Sequence, residues 1–333
     1  MSDTIDNAIR KALHINMGWQ NGERVAIIAQ LPNGSSDQQV QAGLRASFEV
    51  AQRMHDVLRS EIGSGLSFLA YSPTELRHGA DAPQALYEKA ADHAVIFLPT
   101  GYSLTHTDFR KHLTAQGARI ASMPTFRLEM FAEDGPMNVD YANVDRATKE
   151  VAANLRASRY VRVTGKDTDI TVEVDPSLVK ESSGMMTKPG EYGNLPGAEA
   201  FVVPVHEGNS NGYITIPAGW GGPFPLAQQV RLSIENGRFT GIESSNEGDH
   251  AQIESILFGG ENYNVLAELG IGTNPNITNE YVAKHGWSIL TAEKIAGSAH
   301  FANGNSKMMG GQNDVPVHVD WFVPNVKIEY KCR

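Results

Sequence analysis

Residues 25–62 read VAIIAQLPNGSSDQQVQAGLRASFEVAQRMHDVLRSEI, and their pattern decides the fold of the first half of the chain. The run at 25–29 is short and β-branched and ends at the turn residues Pro32, Asn33 and Gly34, so it reads as a buried strand. Ser35, Ser36 and Asp37 are candidate N-caps, because their side-chain oxygens can accept from the first free amides of a helix. Val40, Leu44, Phe48, Ala51 and Val57 then recur at near-helical spacing as far as Ile62. A strand followed by a capped amphipathic helix is a β-α unit.

The alternation continues, with strands expected at 66–71, 94–98 and 119–123 and helices at 85–91 and 108–116. Strands alternating with helices imply parallel pairing, so the first domain is expected to be α/β with an open, largely parallel sheet. The loop after its first strand, QLPNGSSDQQ, is neither a GxGxxG turn nor a GxxxxGK[ST] loop, and no nucleotide site is expected there. The histidines of this half, including His106 and His112, lie in polar context suited to surface or capping roles. A helix at 144–157, with Val144, Ala147, Val151, Ala152 and Leu155 on one stripe, reads as the close of the domain. From Asp169 onward ITVEV, AFVVPV, GYITIP, QVRLSIENGRFTGI and VKIEYK are alternating or β-branched runs, and Asn236-Gly237 marks a tight hairpin. The second domain is therefore expected to be α+β with mainly antiparallel sheet. The boundary falls near Gly165, giving domains 1–165 and 166–333.

The chain has 333 residues, enough for two domains, and 41% hydrophobic residues, enough to fill their cores. A net charge of -10 and the lack of any dense run among the 28 Lys and Arg residues argue against a nucleic-acid surface. No apolar stretch reaches the ~20 residues of a membrane span. The N-terminal residues lack a signal-like apolar core, so a cytoplasmic location is expected. The one cysteine, Cys332, allows no intrachain disulfide.

The chemistry concentrates in residues 291–321, TAEKIAGSAHFANGNSKMMGGQNDVPVHVDW. Side chains two apart in a strand share a face, so His318 and Asp320 project together from the apolar run VPVHVDWFV. An imidazole and a carboxylate in such a strand are costly to bury unpaired; a cation, or pairing within the core, meets that cost. Glu293 and His300, seven apart, would share a face two turns apart if EKIAGSAHFANG were helical. Glu199 stands at the lip of a strand after a Gly- and Pro-rich loop, where a solvated strand end is the plainer reading. Glu268 is enclosed by the apolar run NVLAELGIG. Together these are two histidines and four carboxylates, a mixture that suits Zn, Mn, Co or Fe(II).

At these residues the sequence resembles the aminopeptidase T-like metalloaminopeptidases. The resemblance runs through GARIASMPTFRLEMF and VDYANVDRATKEVAANL in the first half, then TDITVEV, GNLPGAEAF, AELGIGTNP, EKIAGSAHFANGN and VHVDW. It implies a homodimer with two divalent ions, Zn, Co or Mn, in the C-terminal domain, and hydrolysis of a short peptide or small amide by metal-activated water. Carried over, Glu199, Glu268, Glu293, His300, His318 and Asp320 are the implied ligands, and Glu268 is also the implied general base. The spacing from Glu293 to His300 is wider than in that family. Where the family carries a catalytic tyrosine, seven residues after the histidine, this chain has Lys307, which is expected to offer a substitute charge.

The sequence is also similar to 2,5-dihydroxypyridine dioxygenases, which use the same scaffold for Fe(II)-dependent ring opening and share the final His-x-Asp. In those enzymes a histidine stands at the position of Glu268, whereas here the glutamate remains beside His300. The intact acidic set favours the hydrolase. A mononuclear Fe(II) dioxygenase acting on a dihydroxypyridine-like aromatic is the alternative, and a catalytically degenerate member of the same fold is a third reading.

Overall fold

In the computed structural model residues 2–32, 37–285 and 289–332 are described; the cap candidates Ser35 and Ser36 and the turn residues Asn33 and Gly34 lie outside them. The chain divides into two compact units, Met1–Tyr141 with Gly184–Gly197, and Ala142–Ser183 with Ala198–Arg333.

The first unit opens with α1 (Ser2–Lys11) and then follows the expected alternation: β1 (Val25–Gln30), α2 (Gln38–Ile62), β2 (Leu66–Tyr71), α3 (Gln84–Ala90), β3 (Val95–Leu98), α4 (Asp108–Ala115) and β4 (Arg119–Ser122). All six residues of β1 are buried, as its β-branched sequence requires of a central strand. Asp37 is the N-cap of α2, accepting from the amides of Gln39 and Val40. At the other end Gly63, with φ +63° and ψ -129°, takes a conformation that favours glycine and stops the helix, its amide donating to the Arg59 carbonyl. The buried face of α2 carries Leu44, Val50, Ala51, Met54, Val57 and Leu58, while Phe48 is half-buried against Phe68. Asp37→Ala removes the acceptor of two amides and is expected to lower stability by about 1 kcal/mol, read as a lower urea midpoint.

Next come α5 (Tyr141–Ala157), β5 (Ser158–Gly165), β6 (Thr168–Glu173) and β7 (Lys180–Ser182). The short strand β8 (Tyr192–Asn194) lies far along the sequence yet completes the first sheet, whose order is β2-β1-β3-β4-β8 with every pairing parallel. The expectation that the helix at 144–157 closes the first domain is not met. Ala152 and Leu155 are buried in one core with Val161, Val163, Ile214 and Phe239, so the helix belongs to the second unit. Gly165, at the end of β5, likewise lies inside that unit.

The second unit continues with β9 (Glu199–Val202), β10 (Asn211–Ile216), β11 (Val230–Glu235), β12 (Arg238–Ser244), α6 (Glu247–Phe258) and β13 (Leu266–Gly272). It ends with α7 (Asn279–His285), α8 (Ile289–Ala292), β14 (Ala299–Gly304), β15 (His318–Val323) and β16 (Lys327–Cys332). Its two sheets are antiparallel, ordered β12-β11-β10-β6-β5-β16 and β15-β14-β13-β9-β7. The hairpin at Asn236-Gly237 has positive φ at both residues, +50° and +74°, the geometry that lets a two-residue turn follow the strand twist. No helix among the described residues is long and apolar enough to cross a membrane.

Candidate metal centre

The register of the five-stranded sheet explains how distant residues meet. Across antiparallel strands, directly opposed residues point to the same face, and so do residues two apart along a strand. Glu199 opposes Gly272, Gly270 opposes His300, Glu268 and Asp320 both oppose Ala302, and His318 opposes Gly304. Glu199, Glu268, His300, His318 and Asp320 therefore share one face. The residues between them are small, Gly270, Gly272, Ala302 and Gly304, which leaves room for the longer polar side chains.

The other face is apolar. Val202, Leu269, Ile271, Phe301, Trp321 and Val323 point there and form part of the core of the unit. Phe301 and Trp321 are fully buried, each stabilising the sheet by roughly 2–3 kcal/mol. The Trp321 indole N–H donates to Asn303 Oδ1 at 2.8 Å, so its one polar atom is also satisfied. This apolar layer fixes the strands that carry the charged face.

On the charged face the side chains form a line of alternating sign. Lys294 Nζ lies 2.7 Å from Glu199 Oε1 and also pairs with Glu293 Oε2. Glu199 Oε2 lies 3.7 Å from His300 Nε2, which is 3.3 Å from Glu268 Oε1. The second oxygen of Glu268 lies 3.3 Å from His318 Nε2, which is 3.7 Å from Asp320 Oδ1. The side chains of Lys294 and His300 are 0% and 1% exposed, that of Glu293 18%, and those of Asp320 and His318 12% and 24%, so the line is closed in its middle and meets solvent at both ends, most at His318.

Burial and crowding shift these groups strongly. Burial lifts the Glu199 carboxyl to about 7 against the pull of Lys294, and lifts Asp320 to about 6 against the pull of His318. Burial would also raise Glu268, but its hydrogen bonds to His300 and His318 outweigh that and bring it down to about 2. Burial opposes charge on the imidazoles, yet Glu268 and Asp320 hold His300 up at about 9 and His318 up at about 10. Lys294 is raised for the same reason, its burial outweighed by Glu199 and Glu293.

The group fits a cation. One ligand atom each from Glu268, His318 and Asp320 lies within 4.8 Å of the others. His318 Nδ1 lies 2.7 Å from the carbonyl oxygen of Asn305, which can only accept; that fixes Nδ1 as the donor and leaves Nε2 to face the carboxylates, the arrangement of a metal-ligating histidine. Nδ1 of the buried His300 has no hydrogen-bond partner among the described residues. The site can hold a divalent metal.

Gly270 is required here. A Cβ built on it would stand 2.0 Å from His300 Nε2 and 2.1 Å from Cε1, so the imidazole lies directly over the glycine. Gly270→Ala must displace the ring, which is expected to cost about 1–3 kcal/mol and weaken metal binding, both measurable by thermal unfolding with and without added ion.

Of the expected site residues, Glu199, Glu268, His300, His318 and Asp320 converge, and Glu293 reaches the group through Lys294. The helical reading of EKIAGSAHFANG is corrected. Glu293 follows α8 in a turn and His300 lies in β14, because Gly297 takes φ +77° and reverses the chain between them. Lys307 is not brought to the group: its side chain is 64% exposed and its ammonium pairs with Asp314, so its charge is already met at the surface. Trp220 and Phe224 are half-buried against the core, whereas Phe322 is buried on the charged face with its ring 5.7 Å from that of His300. The sequence reading missed Lys294, although a lysine within the apolar run AEKIAGSAH was a signal for a buried, paired charge.

The fold and donor set define a mixed α/β protein with a candidate divalent-metal centre on an antiparallel sheet. The chain belongs to the 2,5-dihydroxypyridine 5,6-dioxygenase (NicX) family, whose family model matches residues 6–330. Among solved structures it is similar to 2,5-dihydroxypyridine dioxygenase from Pseudomonas putida KT2440, at 16% identity and a TM-score of 0.70 over 99% of this chain and 93% of that one. It is also similar to wild-type AmpT from Thermus thermophilus, at 15% identity and a TM-score of 0.65 over 99% of this chain and 95% of that one. At such identities both likenesses speak to the fold. Comparison with curated proteins gives no match.

Proposed function

We propose that this chain is a ring-cleaving dioxygenase that uses one Fe(II) ion and acts on a dihydroxypyridine-like aromatic. The observation that carries the reading is the match of the dioxygenase family to nearly the whole chain, which ranks it above the aminopeptidase-type hydrolase that the acidic residues alone favoured. Glu268, His318 and Asp320 would hold the ion at the His318 end of the charged line. Fe(II) bound there would supply the redox chemistry that lets dioxygen react with an electron-rich ring.

The chain's own groups supply the rest. The Asn305 carbonyl keeps the His318 ring turned toward the ligands. His300 holds a proton at Nε2 against Glu268, within the site and away from bulk water. Phe322, buried on the same face, packs its ring against that of His300 and helps to fix the imidazole. A homodimer is part of this reading, and sedimentation velocity tests it.

One observation favours a second reading. Glu268 is a carboxylate where the dioxygenases that the sequence resembles carry a histidine, and the triad has one imidazole where Fe(II) oxygenases commonly have two. A metal-dependent hydrolase acting on a peptide or small amide is therefore the alternative. Protein loaded anaerobically with Fe(II) is expected to consume oxygen as 2,5-dihydroxypyridine is lost. Release of amino acid from dipeptides with Zn, Mn or Co, with no oxygen uptake on the pyridine, would transfer the assignment to the hydrolase.

A further inference from the structure

Lys294 is the cation at the Glu199–Glu293 end of the charged line. Its side chain is wholly buried, and its ammonium is bound by Glu199 and by Glu293. A buried ammonium between two carboxylates is the arrangement a second metal ion would otherwise occupy, since both present anionic oxygens to one cation. The backbone fixes it there. Glu199 opposes Gly272 in the sheet, and a Cβ on Gly272 would stand 2.6 Å from the carbonyl carbon of Lys294 and 2.3 Å from the carbonyl oxygen of Ile295. The chain at 294–295 thus packs directly on the glycine beside Glu199. The Asn274 amide donates to the Lys294 carbonyl at 2.8 Å, and the Lys294 amide to that of Thr291 at 3.1 Å, so the segment is tied on both sides.

We infer that the Lys294 ammonium acts as a resident cation: it fills the Glu199–Glu293 end of the line and restricts the centre to a single metal ion, at Glu268, His318 and Asp320. Glu199 and Glu293 then serve the lysine and are not metal ligands. Four carboxylates, enough for a two-ion cage, become a one-ion site through one side chain. The inference rests on the metal-centre reading but not on the reaction assigned to it.

The test is metal stoichiometry on the purified full chain, stripped with chelator and titrated with Mn(II) under calorimetry, with the bound ion followed by electron paramagnetic resonance. The wild type is expected to take up one ion per chain with the spectrum of an isolated Mn(II). Lys294→Met keeps the length of the side chain and removes its charge; it is expected to take up a second ion, with spin coupling between the two. Glu199→Gln is expected to keep the single ion. Removing Lys294 leaves two carboxylates unpaired, so Lys294→Gln, whose amide can still donate to both, is measured beside it and is likewise expected to take up the second ion; one ion in folded Lys294→Gln overturns the inference. Two ions in the wild type, one ion in a folded Lys294→Met, or loss of the ion in Glu199→Gln would each overturn the inference. None of these depends on turnover, so an absence of oxygen uptake would count against the proposed reaction and leave the stoichiometry to be judged by itself.

Discussion

Replacing His318 with alanine is expected to cost the protein its metal. Of the three groups that can share an ion, His318 is the only imidazole, and its Nε2 is directed at both Glu268 and Asp320. Its ring is already oriented by the Asn305 carbonyl, so little ordering remains for binding to do. Loss of the outer partner of a ligating histidine alone weakens metal binding about 10–100-fold, and loss of the ligand itself should reach at least the upper end of that range. Activity should fall with occupancy and recover only in part at high metal concentration. The fold should survive, because the backbone of β15 is held from the other face by Trp321 and Val323, and His318 is the most exposed of the three. Calorimetry on His318→Ala alongside circular dichroism separates the two effects; unchanged affinity in a folded variant would mean that the ion sits elsewhere.

How legible this was in the sequence depended on the distance over which each signal acts. Strands β1 to β4 and helices α2 to α4 of the first unit lie within a residue or two of where the β-α alternation put them, because burial of β1 and capping of α2 by Asp37 are local effects; β8, which joins the sheet from far along the chain, was not foreseen. The pairing of His318 with Asp320 was equally local, a consequence of strand period. What joins Glu199 to Gly272 and Gly270 to His300 is sheet register, and a register between segments about seventy and about thirty residues apart leaves no local trace. Those residues were brought together by resemblance alone. Lys307 shows the limit of that route: a position in a motif was carried over, but its side chain met Asp314 first. The turn between Glu293 and His300 was misread because an apolar segment with small residues suits helix and strand alike, and the break at Gly297 shows only in its positive φ. The unit boundary moved because contacts set it. The stripe on α5 was right, but nothing in it says which sheet it covers.

The largest effect on stability is expected from Glu268→Ala in metal-free protein. Glu268 places one oxygen against each imidazole, so its removal leaves His300 and His318 without their nearest anion, and His300 is almost fully buried. Breaking a buried pair by removing one partner costs about 3–5 kcal/mol, and here one partner serves two. The pH dependence identifies the cause. His300 and His318 have folded-state values near 9 and 10, above their ordinary 6.5, so their contribution is complete below about 6.5 and is lost as pH rises through those values. Glu268 is depressed from 4.5 to about 2, so its contribution is present above about 4.5 and is lost as pH falls through 2. The difference in unfolding free energy between wild type and variant should therefore be greatest between about pH 4.5 and 6.5 and shrink on either side. Metal binding must run the opposite way, because the ion competes with the protons on the imidazoles: wild-type affinity should rise with pH while apo stability declines. Urea titrations of chelated protein at about pH 5.5 and about pH 9.5 test the first trend. A stability gap that stayed constant between them would show that Glu268 stabilises the fold by packing and not by holding the two histidines charged.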